Sequence, residues 1–547
     1  MSVKPFVIAM VLVAPFAAQA QRAPGSDTVL KGSTIEVIQS YKPKVKQSPK
    51  PEWIPQLPPA DTSHPAFTYD VPQQTLNYTY NSLPLRPLAL GRNPDPLPYQ
   101  NYVKAGGGNL STIYLDAGIG GIHGDDYETA IHLHHISQKG SIKNQSSSLS
   151  GIEADGVLHH SSGDWHAAIS GERNQYYYYG YDHILHDYNA EDVKQTYTGI
   201  HASVDMQNRA DSATKLSYHP AVNASYYDAR YNTSEFTVGF NAPLTYKLDK
   251  TVDLKLALDG ALTRYKADTV STGNNFIQLM PGVDIHGRQF RAHALVGFAL
   301  GMGGSGYILP DLLASYTLPG TKVSLEAGYK ARLLQNTYEQ LTTENPYMLN
   351  RYNVLQGRSD EVFAGLQGSV GSHFSFTGRA SWWSYNTLPT FLNDTGDQKQ
   401  LYVQYQNANA ISVKIGVRYH VANSWSAGIT GDYYSYYNIQ DIYSTAQAYV
   451  WHQPALRIKG DLMLHPLPKL TATAYIAVLG GIHARDITYA ERTLKAAADI
   501  GLSGEYQIIP RLSAFLQVNN LLNNKYERWL GYQAYGINIY GGVRLKF

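Results

Sequence analysis

The last eleven residues of this 547-residue chain alternate strictly between apolar side chains and polar or small ones, which constrains the fold more than any other feature. Successive side chains of a β-strand point to opposite faces, so the pattern predicts a strand with one apolar face. That face carries Ile537, Ile539, Gly541, Val543, Leu545 and the terminal Phe547, and the other face carries Asn538, Tyr540, Gly542, Arg544 and Lys546.

Similar alternating segments, separated by turns, fill the chain from residue 107 onward; residues 252–258 and 411–420 are clear examples. Each segment can supply the ~10 residues that a tilted strand needs to cross a bilayer. We predict an all-β fold, a transmembrane antiparallel β-barrel of about 22 strands over residues 107–547, with apolar faces toward lipid and a polar lumen. A soluble sandwich would show the same alternation with its apolar faces turned inward.

The connections between these segments differ in length. Short turn clusters at 161–164 and 318–321 alternate with longer stretches such as 337–360. Outer-membrane barrels have short turns on the periplasmic side and long loops outside, so the asymmetry favours that class of protein.

Composition narrows the function classes. The chain has a formal net charge of +1, which indicates no nucleic-acid partner. It has no cysteine, which excludes disulfides, thiolate catalysis, iron–sulfur clusters and an N-terminal lipidated cysteine. Its 44 tyrosines fit interfacial aromatic girdles and polar-aromatic loops.

Residues 1–20 have the features of a secretory signal peptide. Lys4 precedes an apolar run over residues 6–18, and Ala18-Gln19-Ala20 matches a cleavage site. The mature chain is then expected to begin at Gln21. An exported chain with no later apolar run long enough for a spanning helix is periplasmic, secreted or an outer-membrane barrel.

Residues 21–106 are rich in proline and predict an extended or irregular periplasmic leader rather than a compact sheet. One short strand-like piece stands out, because extended segments of this kind dock on partner domains by strand addition. The alternative is an ordinary leader without a docking function. The piece consists of Thr34, Ile35, Glu36, Val37 and Ile38.

One pattern near the end of the chain consists of Asn520, Leu521, Leu522, Asn523, Tyr526, Gly531, Tyr532, Gly536, Gly542, Val543 and Phe547. This pattern resembles the C-terminal end of TonB-dependent receptors, the gated transporters of the Gram-negative outer membrane. Leu522 stands where the family usually has phenylalanine. The resemblance implies that the Asn-Leu-Leu-Asn run closes the penultimate strand, that the Gly-Tyr pair lies in the last loop, and that the terminal aromatic residue serves assembly.

The same resemblance implies that the segment 34–38 contacts an inner-membrane energy-coupling protein. Receptors of this family also carry a plug domain with an arginine-glycine and a glycine-rich signature, and neither signature occurs in residues 21–106. The leader therefore threads into the lumen irregularly, or a partner fills the barrel, or the barrel serves another purpose than gated uptake.

Three other patterns invite a chemical interpretation. The histidines at 132, 134, 135, 159, 160 and 166 have no carboxylate at a telling spacing, so we interpret them as lumen residues and predict no metal site and no cofactor. The glycine-rich run 301–306 matches a dinucleotide-binding pattern, but no helix follows it, so it predicts a hairpin turn.

The tyrosine clusters at 176–181 and 433–437 predict an interfacial girdle that continues into loops, and a platform for a sugar or aromatic ligand is the alternative. No catalytic arrangement is recognisable, and we expect no enzyme. The sequence supports transport of a ligand across the outer membrane. The alternatives are a plug-less barrel acting as a scaffold or partner subunit of an outer-membrane complex, and a passive pore.

Overall fold

The computed structural model describes residues 101–209, 215–349, 354–421 and 424–547. The predicted signal peptide, the leader and the docking segment 34–38 lie outside these residues. The first described strand covers Tyr102–Gly108 and so extends to both sides of the expected boundary at 106/107. The division into signal peptide, leader and barrel stays a prediction.

The described chain forms a closed antiparallel barrel of 22 strands, which confirms the predicted fold and strand number. Each strand pairs with its neighbour in sequence, and the first pairs with the last. In chain order β1 to β22 are Tyr102–Gly108, Thr112–His123, Tyr127–Lys139, Ser146–His160, Gly163–Tyr177, Lys194–Asn208, Ala221–Ala229, Thr233–Lys247, Val252–Ala267, Phe276–His286, Phe290–Leu300, Gly306–Thr317, Val323–Leu334, Gly357–Val370, Phe374–Asn393, Leu401–Val421, Trp425–Asp441, Leu456–Leu467, Leu470–Gly480, Ala497–Ile509, Leu512–Asn519 and Asn538–Lys546.

A few short elements accompany these strands. Leu216–Tyr218 and Val270–Gly273 join the same sheet, which then has 24 strands. Two small hairpins lie in loops, one formed by His483–Arg485 and Glu491–Thr493 and the other by Glu527–Trp529 and Tyr532–Gln533. The α-helix α1 covers Tyr338–Glu344, and single 3-10 turns cover Ala190–Val193 and Met302–Gly304. Within the described ranges, no helix is long and apolar enough to cross a membrane.

The apolar side chains point outward, as the alternation predicts. On β9, Leu254, Leu256, Leu258 and Leu262 are all exposed, whereas the intervening Lys255 pairs with a lumen-facing aspartate on the next strand. A water-soluble sandwich would bury such residues, and a closed barrel without sheet edges can leave them to lipid. The outer face is therefore that of a transmembrane barrel.

Replacing the outward Leu258 by arginine is expected to destabilise the barrel by about 2–4 kcal/mol, because the charge would lie near the middle of the apolar belt. The measurement is the denaturant midpoint of the folded band on electrophoresis after refolding into lipid vesicles. Ser225→Arg is the control, since Ser225 faces a lumen cavity. Equal destabilisation by the two substitutions would contradict the outward orientation.

The two ends of the barrel differ in the way the sequence predicts. The four longest connections, 178–193, 335–356, 481–496 and 520–537, join strands at one end, which we call the long-loop end, and turns such as 161–162 and 371–373 join strands at the other. In outer-membrane barrels the long loops are extracellular.

The seam between β1 and β22 is built from glycines. Gly106 pairs with Gly542 and Gly107 with Gly541. A Cβ on Gly542 would overlap the Ala105 carbonyl oxygen and lie 2.6 Å from the Cα atom of Gly106. The first and last strands thus approach each other more closely than larger residues allow.

Candidate functional site

The largest buried cluster lies at the long-loop end of the barrel. Its residues come from β6, β7, β9, the β15–β16 hairpin and the connections 178–193, 335–356 and 520–537, elements that are spread round the ring. A single cluster formed by such elements has to extend across the mouth of the lumen. The members are Tyr179, Tyr197, Tyr227, Ala229, Tyr265, Ala267, Tyr338, Leu341, Met348, Val354, Phe391, Leu401, Val403, Tyr405, Trp529 and Tyr532.

We refer to the described residues of the connections 178–193, 335–356 and 520–537, that is 178–193, 335–349, 354–356 and 520–537, together as the cap. Helix α1 is its central element. Thr337 begins the helix with a capping box, in which its side chain accepts from the Gln340 amide and the Gln340 side chain accepts from the Thr337 amide. The carboxylate of Glu235 on β8 accepts hydrogen bonds from the backbone amides of Tyr338 and Glu339, at 2.8 and 3.2 Å. The barrel wall therefore satisfies amides that the helix leaves free.

Tyrosine hydroxyls attach further described residues of the connection 335–356 to the barrel and to the connection 178–193. Tyr197 donates to the carbonyl of Pro346 at 2.9 Å, and Tyr227 lies 2.9 Å from the Thr342 hydroxyl. Tyr178, in the connection 178–193, donates to the carbonyl of Met348 at 3.3 Å. Each tyrosine buries its ring and satisfies its hydroxyl, the combination that makes this residue suited to a packed but polar lid.

The centre of the cap is an aromatic stack. Tyr347 and Tyr532 stack with ring centroids 3.6 Å apart, and Tyr179 packs edge-on against both. Burial raises the pKa of all three hydroxyls, so they stay protonated donors at neutral pH. Three separate connections thus meet at one point over the lumen.

The C-terminal residues that carry the resemblance organise the last of these connections. Asn520 follows β21 directly, and its side-chain amide donates to the carbonyls of Asn524 and Tyr535 at 2.9 and 2.7 Å. The Asn523 side chain accepts from the Ile537 amide at 2.9 Å. Both asparagines have positive φ, which asparagine tolerates better than most residues. The two asparagines shape the loop, and Leu521 and Leu522 between them are exposed.

The other signature residues lie in two places. Gly531 has a φ of 88°, and a Cβ there would lie 2.5 Å from the Gly180 carbonyl oxygen, so only glycine fits. The next residue, Tyr532, is part of the aromatic stack. The Tyr526 hydroxyl lies 3.4 Å from a carboxylate oxygen of Asp499. Phe547 is exposed at the opposite end of the barrel. The roles of these residues in assembly or binding stay predictions.

A fully buried histidine joins the cap to the wall. His452 Nδ1 lies 2.8 Å from the Phe391 carbonyl, and the Leu530 amide donates to Nε2 at 3.2 Å. A carbonyl only accepts and an amide only donates, so the proton is on Nδ1 and the ring is neutral. Burial lowers the pKa of His452 to about 3.

The closed cap is expected to weaken in acid because of His452. The pKa of His452 is depressed from about 6.5. The stability that the neutral ring gives to the closed cap is therefore fully present above pH 6.5 and is lost as the pH falls toward 3. At pH 4.5 the loss amounts to about 3 kcal/mol. The measurement is hydrogen exchange of the Leu530 amide against pH. His452→Gln should flatten this dependence, and an unchanged slope in that variant would contradict the assignment.

A cavity of about 610 Å³ lies between the cap and the wall strands near the seam. Its charged members are Asp499 on β20 and Arg528 in the cap. Burial lowers the pKa of Arg528 to about 10, so the guanidinium is charged at neutral pH. The aromatic members are Tyr179, Tyr347, Tyr475, Tyr526, Trp529, Tyr532, Tyr535 and Tyr540.

The structure corrects one sequence interpretation and supports another. Tyr178, Tyr179 and Tyr181 are buried in the cap, so the interpretation of that cluster as an interfacial girdle was wrong; packing with the connections 335–356 and 520–537 removes them from the membrane face. In the second cluster, Tyr433 and Tyr437 are exposed. Tyr434 and Tyr436, at alternate positions, stack on each other.

The remaining patterns have structural partners. His132 Nε2 lies 3.1 Å from an Asp116 carboxylate oxygen on the neighbouring strand, and His159 pairs with Asp164 at 3.0 Å. The glycine-rich run forms the hairpin turn between β11 and β12. Sequence reasoning missed the inward fold of residues 335–349, since only the length of the connection was apparent.

These observations define a class of protein. A closed barrel with an apolar outer belt, a polar inner wall and long loops at one end is an outer-membrane β-barrel protein. Its fold is that of the TonB-dependent receptor barrel, which confirms at the level of the fold the resemblance of the C-terminal residues.

Solved structures of this fold are similar over most of the chain. The FrpB iron transporter from Neisseria meningitidis (F3-3 variant) has a TM-score of 0.64 at 11% identity, covering 82% of this chain and 81% of its own. The ferric yersiniabactin uptake receptor FyuA from Yersinia pestis has 0.59 at 12%, covering 82% and 80%. The copper transporter OprC has 0.60 at 12%, covering 82% and 81%. No protein-family model matches the sequence, and no curated protein sequence matches it.

Proposed function

We propose that the protein transports a ligand across the outer membrane and that the cap is the gate on the side that receives the ligand. The observation that carries this proposal is the packing of three connections across the mouth of the barrel. A passive pore needs an open path, whereas a lumen closed by a hydrogen-bonded aromatic lid passes a ligand only when the lid moves. The proteins of similar fold are named as transporters and an uptake receptor rather than as enzymes, which agrees with a role without catalysis.

The cavity beside the seam is the place where we expect the ligand to bind. Tyrosine and tryptophan offer flat apolar faces, and their polar groups donate hydrogen bonds. Arg528 supplies a positive charge beside them, and Asp499 supplies a negative one. A ligand with a planar or sugar-like face that carries both hydrogen-bond acceptors and donors fits this lining.

We further propose that opening is driven from the inner membrane through the segment Thr34–Ile38. Deleting this segment is expected to abolish energy-dependent uptake, because strand addition by the segment is the proposed link to the energy-coupling partner. The measurement is untargeted: compounds that cells expressing the protein remove from the medium, and that cells lacking it do not, are quantified by mass spectrometry.

The matched control for this experiment deletes Asp61–Pro65, a piece of equal length in the same proline-rich stretch. Uptake should continue in the control and fall to background in the test variant. Uptake that is unchanged by deletion of 34–38, together with release of a co-purifying protein, would instead support a scaffold role. Steady conductance of the wild-type protein in planar bilayers would support a passive pore.

A further inference from the structure

Two carboxylates and an imidazole from three separate elements meet in the lumen, where helix α1 of the cap faces the barrel wall. Glu172 lies on β5, His201 on β6 and Glu339 on helix α1. His201 Nε2 lies 3.2 Å from a Glu339 oxygen and 3.8 Å from a Glu172 oxygen, and the potential ligand atoms of the group lie within 4.8 Å of one another. Each side chain is partly shielded, with exposures of 40, 33 and 23% for Glu172, His201 and Glu339.

This spacing suits a small divalent ion. A tetrahedral ion with bonds of about 2.0–2.2 Å holds its ligand atoms roughly 3.3–3.6 Å apart. The two distances from His201 lie on either side of that range. One imidazole and two carboxylates form a donor set for Zn²⁺ and neighbouring transition-metal ions. The open side faces a cavity of about 460 Å³ that His201 and Glu339 also line, which leaves a coordination position for water.

A glycine on the barrel wall keeps the space between these side chains free. Gly199 lies directly opposite Glu172 in the β5–β6 ladder. A Cβ at Gly199 would lie 2.9 Å from His201 Nε2 and 3.3 Å from the Glu172 Oε1 atom. Its φ is not in the left-handed region, so backbone conformation does not require glycine there. The missing side chain leaves a hollow bordered by two of the three donor atoms.

Contacts within the protein hold both carboxylate residues of the cluster in place. The backbone amide of Glu339 is held by Glu235 at 3.2 Å, which fixes the start of α1 against the wall. The second carboxylate oxygen of Glu172 accepts from the Asn174 amide at 3.4 Å. Such supporting contacts are typical of ligands in metal sites.

We propose that Glu172, His201 and Glu339 bind a divalent transition-metal ion of the Zn²⁺ class and that this ion fastens helix α1 of the cap to the barrel wall. Because two ligands belong to the rigid wall and one to the cap, the bound ion stabilises the closed position. Metal binding is measured on the purified protein, so the result does not depend on whether the protein transports a ligand.

The test titrates Zn²⁺ alone into the metal-free full-length protein in detergent, using calorimetry and metal analysis of the dialysed protein. Glu339→Gln and Gly199→Ala should each remove one equivalent or weaken its binding roughly tenfold or more. Glu153→Gln is the matched control, since Glu153 lines the same cavity and is not a member of the cluster. The control should bind Zn²⁺ as the wild type does.

A second readout separates the site from adventitious surface binding. Zn²⁺ should slow hydrogen exchange of the α1 amides in the wild type and in Glu153→Gln, and should have no effect in Glu339→Gln. All variants are first checked for the heat-modifiable mobility of a folded barrel, and Glu172→Gln replaces any variant that fails. Equal stoichiometry in wild type and folded ligand variants, or exchange of α1 that does not respond to Zn²⁺, would overturn the proposal.

Discussion

Replacing Gly542 by valine is expected to prevent the barrel from closing. The closest approach in the seam is between Gly542 and the strand Tyr102–Gly108, where a Cβ would overlap the Ala105 carbonyl oxygen. Neither strand can move away without breaking the ladder that joins the first strand to the last. A clash between backbones cannot be relieved by a side-chain rotation, so the cost is about 3 kcal/mol or more, and the folded yield falls roughly a hundredfold.

The measurement is the fraction of protein that migrates as a heat-modifiable barrel after refolding into vesicles. Gly504→Val is the matched control, because a Cβ at Gly504, also within a strand, meets no atom within 4 Å. The control should fold at the wild-type yield. Equal folding of Gly542→Val and Gly504→Val would mean that the seam tolerates a wider spacing than the structure has.

The barrel itself could be predicted from the sequence because each strand is indicated by the pattern of its own residues. Alternation with period two assigns each side chain to a face, and residues such as Leu258 and Ile539 therefore point outward wherever the strand lies in the ring. The number of alternating segments gave the number of strands for the same reason. Turn residues such as 161–162 indicated the end of the barrel opposite the long-loop end.

The cap could not be predicted, because its contacts join residues that are far apart in the sequence. Tyr178 and Tyr179 follow a strand, as a girdle residue would, and their burial depends on a connection between β13 and β14 that crosses the lumen. No spacing rule relates Glu339 to His201, which belong to distant parts of the chain. From the sequence, the barrel is expected to start at residue 107, and only the pairing of the first and last strands shows that the glycines at 106–108 belong to the seam.

Tying helix α1 to the barrel wall is expected to stop transport. Glu172 on the wall and Glu339 on the helix both approach His201, so cysteines at these two positions can be joined by a short bismaleimide. The native chain has no cysteine, so the reagent links no other pair within this protein. If the ligand passes only when the cap leaves the mouth, protein-dependent depletion of the medium should fall at least about tenfold, to the background of cells without the protein.

The design separates loss of motion from loss of a side chain. Glu172→Cys and Glu339→Cys alone, treated with the same reagent, carry the substitutions without the link and should transport at the rate of their untreated forms. A bismaleimide with an internal disulfide allows the link to be cut by a reductant, and uptake should then recover in the double variant. Undiminished uptake by the linked protein would mean that the ligand reaches the lumen past a stationary α1. The moving part of the gate would then be the connection 520–537, whose Tyr532 stacks on Tyr347 at the centre of the mouth.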